Sequence, residues 1–209
     1  VGNITGKGVE ISLSATPVQT DSWEWSLSGN ATWQSNKITN LRLNARSASP
    51  HTPAGAIDSH YVQVLSEGYA PYSYYVYKQI YNERTGLPIE GLYADLNGDG
   101  KVDSKDLYHH HSPSADWLFG FSTSVRWKRL TLSTSLRASV GNYLYNGMAM
   151  NTGAWETMSY NSYQLNRLHA SYLDTHFRKR QYESDFYVEN ASFLKMDNVQ
   201  LSYNFGKIA

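Results

Sequence analysis

Between Trp23 and Trp33 every second residue is apolar or small. Trp23, Trp25, Leu27, Gly29, Ala31 and Trp33 alternate with Glu24, Ser26, Ser28, Asn30 and Thr32. Successive side chains of a strand point to opposite faces, so this spacing specifies a strand with one greasy and one polar side. The pattern recurs along the chain. Val9, Ile11, Leu13 and Ala15 alternate with Glu10, Ser12 and Ser14, and Thr16 to Asp21 reads as the turn joining two hairpin strands. Phe119, Phe121, Thr123, Val125 and Trp127 alternate with Gly120, Ser122, Ser124 and Arg126. A tight connection at Lys128-Arg129 leads into Leu130, Leu132, Thr134, Leu136, Ala138 and Val140. A last strand runs near Val199, Leu201, Tyr203 and Phe205. The expected fold class is all-β, an antiparallel meander of hairpins with short turns at one end and long loops at the other.

Between the hairpins the pattern is less regular. Tyr61 to Leu65 and Tyr72 to Tyr77 read as strands, Ser47 to Gly55 as loop and Glu83 to Pro88 as a turn. Asn142 to Glu183 reads as a long connection with a helical turn somewhere in Tyr160 to Arg178. A connection of that length is seldom kept without a use.

Alternation leaves open whether the greasy side meets a protein core or lipid. Two features favour lipid. Trp23 and Trp33 are ten residues apart, about 33 Å of strand. Tilted by about 40°, that span projects to roughly 25 Å, the height of the apolar band between the aromatic girdles of an outer-membrane barrel. The polar side is mostly Ser, Thr and Asn, where a solvated sheet carries Lys and Glu. Charged residues make up 17% of the chain, below the roughly 25% of a typical soluble domain. On this reading Trp23, Trp25, Trp33 and Trp127 are girdle or lipid-face residues. A soluble carbohydrate-binding β-sandwich remains the other reading of the same alternation.

The run Asp95 to Asp106 carries side-chain oxygens at positions 1, 3, 5, 9 and 12 and a glycine, Gly100, at position 6. That is the spacing with which a loop wraps one calcium ion in hard oxygen ligands. The ligands would be Asp95, Asn97, Asp99, the Lys101 carbonyl, Asp103 and Asp106, with Asp116 a more remote candidate. The short carboxylate of Asp106 at position 12 implies modest affinity, and an acidic turn without metal fits the same residues. The expected role of calcium is structural. His109, His110 and His111 are adjacent, so in extended chain they diverge and do not converge on one ion.

Trp155, Tyr160, Tyr163 and Tyr172 lie in the long connection. Aromatic faces of this kind stack on sugar rings, which makes Trp155, Tyr160 and Tyr163 candidate substrate contacts. Loop packing or contact with a partner protein would use the same residues. No Gly-x-Ser-x-Gly nucleophile motif and no phosphate-binding glycine loop occurs, and the chain is not expected to be an enzyme. A formal net charge of zero offers no basic footprint for nucleic acid.

Tyr93 to Asp103, followed by Ser112-Pro113 and Gly120-Phe121, resembles the late-barrel signature of SusC/RagA-family TonB-dependent outer-membrane transporters. Ser184 to Val199 is similar to the family's segment leading into a late strand, and Gly8-Val9-Glu10-Ile11 with its hairpin also fits. The resemblance implies that residues 1–209 are a segment of the C-terminal half of a large β-barrel, about 22 strands around a plugged lumen, with long extracellular loops. Plug domain and final strands would lie outside the chain. It further implies the outer membrane of a Gram-negative bacterium, contact with membrane lipid, energy from TonB through the missing N-terminal region, and a SusD-like surface lipoprotein as partner. The cargo would be an oligosaccharide or a peptide. The alternative is a soluble calcium-binding β-rich module, either with a dockerin-like loop or as a carbohydrate-binding sandwich. Against the dockerin form, the loop occurs once and Ser112-Pro113 ends any helix after it.

Overall fold

The structure, a computed structural model, describes residues 2–41, 51–57, 59–159 and 168–206. Its strands among these are β1 Asn3–Gln19, β2 Trp23–Asn40, β3 His51–Ile57, β4 His60–Ser66, β5 Ser73–Tyr77, β6 Gln79–Tyr81, β7 Pro88–Tyr93, β8 Leu107–His109, β9 Trp117–Trp127, β10 Leu130–Val140, β11 Tyr143–Tyr145, β12 Val188–Asn190 and β13 Phe193–Tyr203. Among the described residues, three short α-helices lie between β11 and β12, namely α1 Gly147–Thr152, α2 Glu156–Ser159 and α3 Tyr172–Thr175, followed by a 3-10 turn at Asp185–Tyr187. The chain divides into two compact units. One comprises Val1–Thr5, Asn36–Pro113 and Tyr143–Asn190, the other Gly6–Ser35, Ser114–Asn142 and Ala191–Ala209.

The second unit is built on a single sheet in the order β1-β2-β9-β10-β13. Antiparallel register aligns the alternating residues into rows. Trp23 faces Trp127, which faces Leu130, which faces Tyr203. Further along come Trp25, Val125, Leu132 and Leu201, and at the far end Trp33, Trp117 and Val140. The opposite face carries Ser26, Ser124, Ser133 and Gln200 in one row and Ser28, Ser122, Ser135 and Asn198 in the next. Towards the Trp33 end that face also bears Leu118 and Phe193.

Among the described residues, nothing in this unit covers the greasy face. Ser139 is its one buried side chain among the described residues. Ile11 and Leu201 are each 66% exposed, and Trp23, Phe121 and Trp127 are also exposed. A soluble sheet must bury such a face, and this one is bare.

Two departures from strict alternation have physical reasons. Between Ser135 and Leu136 the β10–β13 register shifts, and Asp197 is the extra residue. The bulge resets the period, so that Leu194 and Met196 join the apolar rows while Lys195 and Asp197 do not. Asp197 instead pairs with Arg137 at 3.1 Å. The second departure is Pro17. The expected turn from Thr16 to Asp21 is shorter, because β1 continues through Pro17 to Gln19. Within this chain β1 is the first strand in the sheet order, and a proline is tolerated in a strand where its missing N–H takes no ladder bond.

The first unit has a core. β4 buries Val62, Val64 and Ser66, and Val62 clusters with Tyr74, Val76 and Val188. Tyr74 ties β5 to β11 by donating to the Tyr143 carbonyl and accepting from the Tyr145 N–H, both at 3.1 Å. The expected loop over Ser47 to Gly55 is corrected here. β3 begins at His51 and runs through Pro53, and within this chain it is likewise first in its sheet order; residues 42–50 lie outside the described ones. The described parts of the long connection are also more ordered than the sequence implied, and α3 falls within the span from Tyr160 to Arg178 where a helical turn is expected. Asn146 caps α1 by accepting the Ala149 N–H, and Ala149 and Met150 pack on Tyr187.

A buried polar network centred on Gln79 and Asp185 is satisfied in this unit, whereas His109 Nε2, Tyr145 Oη and Asn151 Oδ1 are buried without a hydrogen-bond partner. Gln79 Nε2 donates to the carbonyls of Ile80, Ile89 and Leu92, its Oε1 accepts from Ser184 Oγ, and its N–H donates to Asp185 Oδ1. Tyr108 donates to Asp185 Oδ2 at 2.7 Å.

Candidate functional site

Two features of the first unit carry chemistry. The acidic loop is the more regular. Asp95 Oδ1 and Oδ2 accept the N–H groups of Gly98 and Gly100. Asn97 accepts that of Asp99, Asp99 that of Lys101, and Asp103 that of Lys105. Gly98 and Gly100 have φ of +74° and +82°, a region glycine enters without strain. Asp106 is 0% exposed and wrapped by the loop's own backbone. Its Oδ1 accepts from Leu96 and Asn97, and its Oδ2 from Asp103. The Asp103 amide, followed by those of Asn97 and Leu96, holds this carboxyl below its ordinary range against the opposing effect of burial, and Lys105 contributes further.

The six expected ligand residues thus share one compact loop, with oxygens of the hard type calcium takes. The side-chain oxygens already order the loop by accepting backbone N–H groups. Among the described residues no three His, Cys, Asp or Glu side chains are grouped to hold a metal. Asp116 belongs to the other unit, where its N–H donates to the Val140 carbonyl. The three adjacent histidines take separate partners, as alternation implies. His109 stacks on Tyr69, His110 contacts the Tyr108 hydroxyl and His111 stacks on Tyr143.

The second feature is a groove of about 600 Å³ lined, among the described residues, by Trp155, Tyr172, His176 and Arg178. The backbone sets it up. Trp155 N–H donates to the Phe177 carbonyl and Glu156 N–H to that of Arg178, both at 2.9 Å. Phe177 is buried, so its neighbours His176 and Arg178 turn outward together. The rings of Trp155 and Tyr172 are 6.2 Å apart. Of the residues expected to contact substrate, Trp155 is brought beside Tyr172, a further aromatic of the long connection, while Tyr160 and Tyr163 lie outside the described residues. His176 and Arg178 were missed by sequence reasoning. The signal for them was the out-in-out alternation around Phe177.

A lone sheet, bare on its apolar face and edged by tryptophans, with structured excursions between its strands, is the fold of part of a TonB-dependent receptor β-barrel. Comparison with known proteins agrees. The chain is 37% identical over 212 aligned residues to the TonB-dependent receptor SusC of Bacteroides thetaiotaomicron, covering 98% of this chain and 21% of that protein. It is 25% identical to TonB-dependent receptor P3 of Formosa agariphila, covering 98% of this chain and 22% of that protein. The solved RagAB peptide transporter matches with a TM-score of 0.68 at 22% identity, over 97% of this chain and 23% of that one. No family model matches the chain. The chain belongs to the SusC/RagA family of TonB-dependent receptors, and it spans about a fifth of the length of the curated relatives it matches.

Proposed function

We propose that the chain is part of an outer-membrane importer that takes up an oligosaccharide or a peptide, with a SusD-like lipoprotein closing over it and TonB supplying energy through an N-terminal region. The observation that carries this is the treatment of polar atoms on the bare apolar face. Thr123 Oγ1 accepts from the Trp25 indole and donates to the Ser26 carbonyl, and Thr134 Oγ1 donates to the Asn198 carbonyl. A face wetted by solvent has no need of such internal pairing, whereas hydrocarbon offers no partner and demands it. Substrate is bound and moved, with no chemistry performed on it. On this reading the complete receptor fractionates with the Gram-negative outer membrane, copurifies with a surface lipoprotein, and its deletion abolishes uptake of one saccharide or peptide. Recovery in the soluble fraction would overturn it.

The loop from Asp95 to Asp106 is proposed to bind one calcium ion, through Asp95, Asn97, Asp99, the Lys101 carbonyl, Asp103 and Asp106, and to stiffen an extracellular loop. Its support is the spacing of oxygen donors and the tight turns at Gly98 and Gly100. Calcium should protect this loop from protease and chelator should expose it. Equal cleavage under both conditions would count against the ion.

A further inference from the structure

We propose that the groove at Trp155 binds an anionic sugar, a carboxylated or sulfated ring of an oligosaccharide. This deepens the importer reading above and rests on it.

Shape and chemistry both contribute. Trp155 is 54% exposed and its ring tilts 33° to that of Tyr172, a platform for the C–H face of a pyranose. The volume falls within the range of small-ligand sites. His176 Nδ1 lies 2.8 Å from the Tyr172 carbonyl, an acceptor, so this nitrogen carries the proton. In the neutral ring Nε2 is then left to accept a sugar hydroxyl.

Charge decides the class of sugar. The groove lining carries a guanidinium and no carboxylate among the described residues. Asp174 sits in α3 between Tyr172 and His176 but does not line the groove, and Glu90 and Glu156 are engaged elsewhere. Glu90 accepts the backbone N–H groups of Arg178 and Lys179 at 3.1 and 2.9 Å. Glu156 accepts both the N–H and the Nε–H of Arg180. These carboxylates hold the backbone of residues 178–180 while the Arg178 side chain, which has no ion-pair partner among the described residues, lines the groove. Guanidinium binds carboxylate and sulfate-type anions through paired N–H groups. A neutral sugar would use the aromatic platform and leave Arg178 idle.

The test is calorimetric titration of the complete receptor in detergent. The probes are tetragalacturonate, its methyl ester, a sulfated carrageenan tetrasaccharide, maltotetraose and an acidic tetrapeptide. At least one anionic saccharide should bind on the order of tenfold more tightly than the uncharged ones, the effect of one charge-assisted contact. Which anionic probe binds identifies the substituent. Arg178→Gln should bring acid and ester to within about twofold, Arg178→Lys should keep part of the preference, and Trp155→Ala should weaken all saccharides. Trp155→Phe, which keeps a ring, should bind at an intermediate level and guards against misfolding. Binding of every anionic saccharide to the wild type no tighter than that of the uncharged ones, a preference for the anionic probe that survives Arg178→Gln, or tighter binding of the tetrapeptide overturns the proposal. Uptake in cells separates the two readings. If deletion of the receptor abolishes uptake but Arg178→Gln changes nothing, the groove assignment fails alone. If deletion leaves all uptake intact, the importer reading fails with it.

Discussion

The indole Nε1–H of Trp25 donates to Thr123 Oγ1 at 2.9 Å, across the diagonal of the β2–β9 pair on the bare face of the sheet. Thr123 in turn donates to the Ser26 carbonyl at 3.1 Å, so one hydroxyl satisfies two strands. Thr123→Val keeps the shape and leaves the indole N–H unpaired. In lipid that should cost about 1–3 kcal/mol, read by urea titration of the receptor in vesicles. An unchanged midpoint would mean that water reaches this face.

Depth should be visible in the cost of charge. Phe121 lies about midway between the Trp23–Trp127 and Trp33–Trp117 rows. Phe121→Arg should destabilise the receptor in vesicles by about 2–4 kcal/mol, and Trp23→Arg, at the end of the span, by about 0–1 kcal/mol. Equal costs at the two sites would rule out a bilayer gradient.

Gly120 faces Asn30 on the polar side, and a Cβ at Gly120 would overlap the Asn30 amide. Gly120→Ala should therefore cost about 1–3 kcal/mol by overpacking. Adding Asn30→Ala should return most of it, since residues in contact couple. A double variant no better than the single one would place the fault in the backbone.

Gln79 is buried and joins β6 to β7 through the carbonyls of Ile89 and Leu92, while also donating to that of Ile80. Gln79→Leu keeps the bulk and orphans these acceptors and the Ser184 hydroxyl. The loss should be about 1–3 kcal/mol and should appear as faster amide exchange across Pro88 to Tyr93, with β9 and β10 unaffected.

His109 supplies a pH dependence. Burial, followed by the neighbouring His51, pushes its imidazole down to about 4, whereas an unfolded histidine titrates near 6.5. The folded form therefore favours the neutral ring. Its contribution to stability is complete above about pH 6.5 and is lost as pH falls from there toward 4. Amide exchange of the Leu107–His109 strand should accelerate over that window. His109→Phe, which can still stack on Tyr69, should flatten the response, and an identical slope in the variant would remove His109 as its source.

Several features of this protein were legible in the residues alone. Trp23 to Trp33 and Phe119 to Val140 read as strands because a period of two has only one backbone that sorts it onto two faces. The resemblance of Tyr93 to Asp103 and of Ser184 to Val199 placed the chain in its family. Pro17 and Pro53 misled, since a proline marks a turn unless its missing N–H takes no ladder bond, and that is a property of the assembled sheet. The ordering of the described parts of Asn142 to Glu183 was hidden for a related reason. Short helices such as Gly147–Thr152 are held by packing on Tyr187, a residue distant in the chain, more than by their own propensity.

The sequence by itself determined which side of each strand is greasy, because side-chain alternation is local geometry. Only the tertiary structure decided that nothing among the described residues covers that side, that Asp197 is bulged away from it, and that Trp155, Tyr172, His176 and Arg178 share one groove. Those facts depend on register and on contacts between residues far apart in the chain, which local periodicity does not encode.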